Sequence, residues 1–142
     1  MTVLRILNEK GRDVVTTTPA MKLIDVAKLL HQKNIGAVLI TEGESIRGIL
    51  SERDIARAIS VHGEEALSKT AGDCMTAHVV TCTPEDSIGH VMQVMTTGRF
   101  RHVPVIEKNR LAGLVSIGDV VKRRIEDVEK EAEQIREYIA TA

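Results

Sequence analysis

A chain of 142 residues, 43% of them apolar, suits one compact body with a real core. Phe100 and Tyr138 are its only aromatic residues, so that core must be aliphatic, and the formal net charge is −1. With neither a basic surplus for a phosphate backbone nor an aromatic platform for bases, no nucleic-acid partner is expected.

No apolar run approaches the ~18 residues of a membrane span. The opening Met1-Thr2-Val3-Leu4-Arg5 lacks the apolar stretch of a signal peptide, which points to the cytoplasm and to no membrane partner. Cys74 and Cys82 match no zinc or redox spacing, so both are expected as reduced thiols.

In chain order, Thr2 can cap a short helix over Val3, Leu4, Ile6 and Leu7 that stops near Gly11. Val14 to Thr17 is β-branched and predicts a strand. Thr18-Pro19 then predicts a helix start, with Leu23, Val26, Ala27 and Leu30 on one face. Ala37 to Ile40 and Arg47 to Leu50 predict a strand pair around a polar turn with Gly43. Ser51 predicts the cap of a helix that ends before Gly63.

The order then repeats. Ala71 to Met75 mirrors the first short helix, Val79 to Cys82 the first strand, and Thr83-Pro84 the start of the amphipathic helix with Ile88, Val91, Met92 and Met95. His102 to Ile106 and Leu111 to Val115 predict the strand pair, and Ser116 the start of a last helix running to about Ile139. Val121, Ile125, Val128, Ala132, Ile135 and Ile139 alternate spacings of four and three along it, a coiled-coil-like seam suited to a subunit contact. A Glu126–Lys130 pair in the favourable order is expected beside the seam.

Residues 14–55 align with 79–120 without a gap and share eleven identical pairs, among them Thr18/Thr83, Pro19/Pro84, Gly48/Gly113, Ser51/Ser116 and Asp54/Asp119. An internal repeat of two copies is therefore the first feature to explain. Its shared motif is Gly-h-h-Ser-x-x-Asp, where h is apolar: Gly48 to Asp54 and Gly113 to Asp119. As structure, Ser-x-x-Asp is a capping box, in which Ser oxygen and Asp carboxylate satisfy amides at a helix start. As function, the Ser hydroxyl and helix-start amides suit a phosphate, and the carboxylate can accept two hydrogen bonds from a ribose diol.

This ordered set, occurring twice, resembles the CBS domain, found in tandem pairs called Bateman modules. The second copy carries the Pro-containing strand Phe100-Arg101-His102-Val103-Pro104-Val105; the first departs there, with Ile35-Gly36-Ala37-Val38-Leu39-Ile40 and no Pro. The expected division is 1–63 for the first repeat with its N-terminal helix, 64–125 for the second, and 126–142 for a helical extension. The resemblance implies a mixed α/β fold of the α+β kind. It has two β-α-β-β-α halves about a pseudo-twofold axis, sheets back to back, helices outside, and here a long C-terminal helix. Members usually pair two modules into a flat disc, so a homodimer is expected.

The resemblance also implies a non-catalytic regulatory module that binds an adenosine nucleotide (AMP, ADP, ATP or NAD/NADH) in the cleft between copies. Some members take S-adenosylmethionine. With no effector domain fused, the module would signal to a separate, unidentified partner protein. Carried over, Ser116 and Asp119 would serve phosphate and ribose of one site, with adenine against Ile35, Gly36 and Ala37. Ser51 and Asp54 would serve the other, with adenine against Phe100, Arg101 and His102. Thr2 and Thr70 head equivalent segments and are further candidate contacts. Arg101 and His102, near the mouth, can reach phosphate, as can Arg99 and Arg53. The run Lys122-Arg123-Arg124 reads as a solvated helix face.

No Gly-x-x-x-x-Gly-Lys loop or Gly-x-Ser-x-Gly elbow occurs. Asp54 and Asp119 lack a nucleophile or metal partner, and His31, His62, His78 and His90 are scattered, so neither an enzyme nor a metal site is expected. The competing reading is a structural dimerisation module with empty clefts, its Ser and Asp residues serving only as caps. A cap tolerates Asn or Thr and needs no arginine nearby, which favours the ligand.

Overall fold

The computed structural model describes residues 1–141. Helix α1 (Val3–Lys10) is followed by β1 (Thr16–Thr17), α2 (Leu23–Lys33), β2 (Ala37–Glu42), β3 (Ser45–Ser51) and α3 (Glu52–His62). A 3-10 turn (Gly63–Ser68) leads to α4 (Ala71–Cys74), α5 (Ile88–Gly98), β4 (His102–Glu107), β5 (Arg110–Ser116) and α6 (Ile117–Thr141). The repeat is legible in the backbone. Asn34 and Arg99, aligned in sequence, both end their helices in the left-handed region, at φ 53° and 58°. The strand pairs share one register, Ala37 opposite Ser51 and His102 opposite Ser116, with a bulge at Ile40/Thr41 and again at Val105/Ile106.

Two units result: Val14–Val79, and Met1–Asp13 with the chain from Val80 onward. The expected division placed α1 with the first repeat; the structure packs it with the second, and α4 with the first. Backbone hydrogen bonds show why. In the Val14–Val79 unit, Leu23 N–H donates to Lys69 O (2.8 Å), Ala71 N–H to Met21 O (2.7 Å) and Gly72 N–H to Pro19 O (2.9 Å). In the other unit, Val3 N–H donates to Asp86 O (2.9 Å), Leu4 N–H to Pro84 O (3.0 Å) and Ile88 N–H to Met1 O (3.1 Å). The Thr-Pro segment is thus not the first turn of a helix, as expected, but a turn whose carbonyls hold the short helix. The long helices start four residues past each Pro, behind Lys22 and Ser87.

The Val14–Val79 unit has a three-stranded sheet, β1-β2-β3, with β1 parallel to β2 and β2 antiparallel to β3. Its core joins Leu23, Val26 and Leu30 of α2 to Val38, Ile40 and Leu50 of the sheet, with Ala58, Ala66 and Ala71. The other unit pairs only β4 with β5, and its core gathers Val3, Ile6 and Leu7 of α1 with Ile88, Val91, Met95, Val103, Val105 and Val115.

The strand expected over Val79 to Cys82 shrinks to a single bridge, Cys82 to Val105. In the first copy Leu39 N–H donates to Val15 O (3.2 Å). Its counterpart Pro104 has no N–H to give Val80, which removes that rung of the ladder. The bonds that do not need it persist, Cys82 N–H to Pro104 O (3.0 Å) and Ile106 N–H to Cys82 O (2.8 Å).

Candidate functional site: the two strand-to-helix junctions

In each unit the strand pair ends where its second strand turns into a helix, and the Ser-x-x-Asp motif occupies that corner. At the β3–α3 junction Ser51 Oγ accepts from Asp54 N–H (3.3 Å) and Asp54 Oδ2 accepts from Ser51 N–H (2.9 Å). At the β5–α6 junction Ser116 Oγ accepts from Asp119 N–H (3.2 Å) and Asp119 Oδ2 from Ser116 N–H (2.9 Å). Both are complete capping boxes. The first helical amide is also used: Glu52 N–H donates to Gly36 O (3.0 Å) and Ile117 N–H to Arg101 O (2.8 Å). Two of the first three amides at each helix start are therefore bonded internally, so an anion here must be held largely by side chains.

These bonds place several candidate residues. Ile35, Gly36 and Ala37 lead into β2 beside Ser51 and Asp54, Ala37 lying opposite Ser51. Phe100, Arg101 and His102 lead into β4 beside Ser116 and Asp119, His102 opposite Ser116. Arg101 is exposed; Phe100 is half-buried, and its ring folds back over Gly98, where a Cβ would lie 2.0 Å from Cε1. Thr2 and Thr70 are not drawn to these corners by any backbone pairing. They bridge to Ser87 and Lys22, at the starts of α5 and α2. Thr70 Oγ1 accepts from Asp73 N–H (3.3 Å) in a third capping box, whereas the Thr2 side chain makes no cap bond. The Thr70 box holds the exposed Asp73 carboxyl below its ordinary range.

The two carboxylates differ. Asp54 is buried, 7% exposed, and besides the Ser51 N–H accepts from the Ser51 hydroxyl (3.1 Å), Arg57 Nη1 (3.2 Å) and Thr76 Oγ1 (3.3 Å). Asp119 is more open, its side chain 26% exposed, and is gripped by Lys10 Nζ at 2.6 Å, which also donates to Leu114 O (3.0 Å). Burial pushes the Asp119 carboxyl up, but the Lys10 ammonium and the Ser116 hydrogen bonds outweigh it and hold the group below its ordinary value. A ribose diol at either carboxylate would share it with, or displace, these donors.

Lys10, Arg57 and Thr76 are site-adjacent residues that the sequence reading did not single out. Arg57 was findable, one helical turn beyond Asp54 on the same face. Lys10 and Thr76 arrive from remote segments and carry no local signal. Arg123 corrects an expectation: it is not part of a solvated basic face but is 6% exposed. Its Nη1 donates to Glu9 (2.6 Å) and Glu126 (3.2 Å), and its Nε, without a hydrogen bond, stands 3.5 Å from Asp127. Glu126 pairs in this way rather than with Lys130. Among the described residues no cluster of His, Cys, Asp and Glu could hold a metal ion, and no helix is long and apolar enough to cross a membrane.

Known proteins share this architecture. The chain is 34% identical over 97% of its length, and 71% of the relative's, to a CBS domain-containing protein of Arabidopsis thaliana named as mitochondrial. A CBS-domain protein from Agrobacterium tumefaciens superposes with a TM-score of 0.86 at 44% identity, covering 87% of this chain and 99% of that one. The CBS domain pair of protein MJ0100, solved with 5′-methylthioadenosine and S-adenosyl-L-methionine, matches with a TM-score of 0.76 at 26% identity, over 86% of this chain and 98% of that one. The CBS domain model matches residues 10–61 and again 71–126. With both copies accounted for and the corners of each built alike, the chain belongs to the CBS domain family and carries a tandem pair.

Proposed function

We propose that this pair is a non-catalytic regulatory module that binds an adenosine compound at its Ser-x-x-Asp corners and passes the signal to a separate protein. The observation that carries the reading is the duplicated corner: the same Ser, Asp and strand-edge backbone, in one register, in both units. The adenosine compounds bound by the similar MJ0100 pair support the ligand class. In this reading Asp54 and Asp119 take ribose hydroxyls, and Ser51 and Ser116 face phosphate or its substituent. The backbone of Ile35 to Ala37 and of Phe100 to His102 reads adenine edges. Arg101, exposed at the rim, answers phosphate charge, which favours AMP, ADP, ATP or NAD/NADH over an uncharged nucleoside. Thr2, with no cap bond, is the more available of the two threonines.

The alternative, a structural module whose Ser and Asp only cap helices, draws on one observation: Asp54 is already surrounded by four donors. A thermal-shift panel separates the two. Adenosine compounds that bind the folded state raise Tm with concentration while guanosine counterparts do not. A flat response to AMP, ADP, ATP, NAD, NADH, 5′-methylthioadenosine and S-adenosylmethionine, in ligand-free protein, would leave the capping reading standing.

A further inference from the structure

Helix α6 runs for 25 residues, and its body-facing side is short. Val120 and Arg123 are its buried residues. Most of the stripe of Val121, Ile125, Val128, Ala132, Ile135 and Ile139 is left open by the chain's own unit: Ile125, Val128, Ile135 and Ile139 are 52%, 46%, 60% and 69% exposed, and only Ala132 is half-buried. An apolar stripe of period 3.5 repeated over six positions calls for a second helix with the same period. The flanking charges say which one.

Written as heptads, the stripe puts Ile125, Ala132 and Ile139 at a positions and Val121, Val128 and Ile135 at d positions. Arg124 and Glu131 then fall at g, and Lys122, Glu129 and Arg136 at e. Among the described residues none of these five side chains is engaged in an ion pair within the chain. In a parallel, in-register pair each g residue faces the e residue of the following heptad on the other helix. Arg124 then meets Glu129 of a second copy, and Glu131 meets Arg136. Symmetry doubles both contacts, so four attractive pairs flank the seam. An antiparallel pairing over the full seam instead sets Glu129 against Glu129, Glu131 against Glu131 and Lys122 against Arg136. Sliding the antiparallel pair by one heptad removes the repulsion but leaves two apolar positions without partners, Ile135 and Ile139 in one direction or Val121 and Ile125 in the other.

We propose that α6 pairs with α6 of a second copy of this chain as a parallel, in-register two-stranded coiled coil, with Arg124–Glu129 and Glu131–Arg136 as the pairs that fix its direction. The pairing does not depend on a nucleotide.

Sedimentation equilibrium of the full chain without nucleotide tests it. The wild type is a dimer at micromolar concentration. Val128→Asp with Ile135→Asp raises the dissociation constant at least a hundredfold. Arg124→Glu, which places two like pairs across the seam, raises it about tenfold. Adding Glu129→Arg restores it, and this rescue cannot come from a folding defect. A monomeric wild type, a dimer indifferent to the aspartates, a larger assembly, or rescue by Glu131→Arg in place of Glu129→Arg would each overturn the proposal.

Discussion

Lys10 and Asp119 show how one ion pair joins the first helix to the corner of the second repeat. The carboxylate is partly buried, so the ammonium is its main compensation, and Lys10→Met is expected to cost about 1 kcal/mol, read as a lower denaturant midpoint. The pair also sets an acid response. Because the folded Asp119 carboxyl lies below its ordinary value of 3.8, the unfolded chain takes up this proton first. Its stabilising contribution is whole above the unfolded value and is lost as pH falls through the folded one, below pH 3.8. Lys10→Met should flatten the stability curve over that acid range; an unchanged slope would contradict the assignment. The thiols make a second residue-scale expectation. Burial pushes Cys82 up to about 12, with Asp86 adding to it, whereas Cys74 is raised less and is only half-buried. Iodoacetamide at pH 8 should alkylate Cys74 slowly and Cys82 only with global unfolding, as peptide mass mapping would show.

At the scale of elements, the repeated glycine of the motif marks a crossing rather than a turn. A Cβ on Gly48 would lie 2.5 Å from Met75 Sδ and 2.8 Å from the Thr76 carbonyl oxygen, where Ile49 and Thr76 exchange backbone hydrogen bonds. A Cβ on Gly113 would meet only the end of Leu7, Cδ2 at 2.5 Å. Backbone cannot yield as a methyl group can. Gly48→Ala is therefore expected to cost about 2–3 kcal/mol and Gly113→Ala about 1 kcal/mol or less in chemical denaturation. Equal costs would contradict the picture. The same crossing explains what the sequence did and did not disclose. Periodicity found α2 and α5, each of which buries its apolar face in its own unit, and α6, whose periodic stripe stays exposed; the Ser51 cap found α3, and polar turns between apolar runs found both strand pairs. Periodicity could not disclose that α1 packs with the second repeat and α4 with the first: the spacing of Val3, Ile6 and Leu7 says that α1 buries a face, not which unit receives it, and the backbone bonds to the Thr-Pro turns that fix the exchange leave no mark in the sequence. The missing strand at Val79 to Cys82 was legible in principle: Pro104 is visible in the sequence, but its lost N–H matters only once the neighbouring strand is known.

At the scale of the molecule, the two units repeat one corner with different guards, Arg57 and Thr76 around Asp54, and Lys10 on Asp119. The Ser and Asp were legible because duplication picked them out; the guards were not, since Lys10 and Thr76 come from remote segments. A ligand that engages these carboxylates competes with the guards, so the corner closed by fewer donors, that of Asp119, is expected to fill first. Isothermal titration of the tightest-binding adenosine compound into wild type and into the Asp54→Ala/Asp119→Ala double variant tests this account most directly. The wild type is expected to bind saturably and the double variant to lose affinity on the order of ten- to a hundredfold or more, as removal of charge-assisted hydrogen bonds requires. Equal affinity in a folded double variant would contradict the ribose assignment and leave the two aspartates as helix caps.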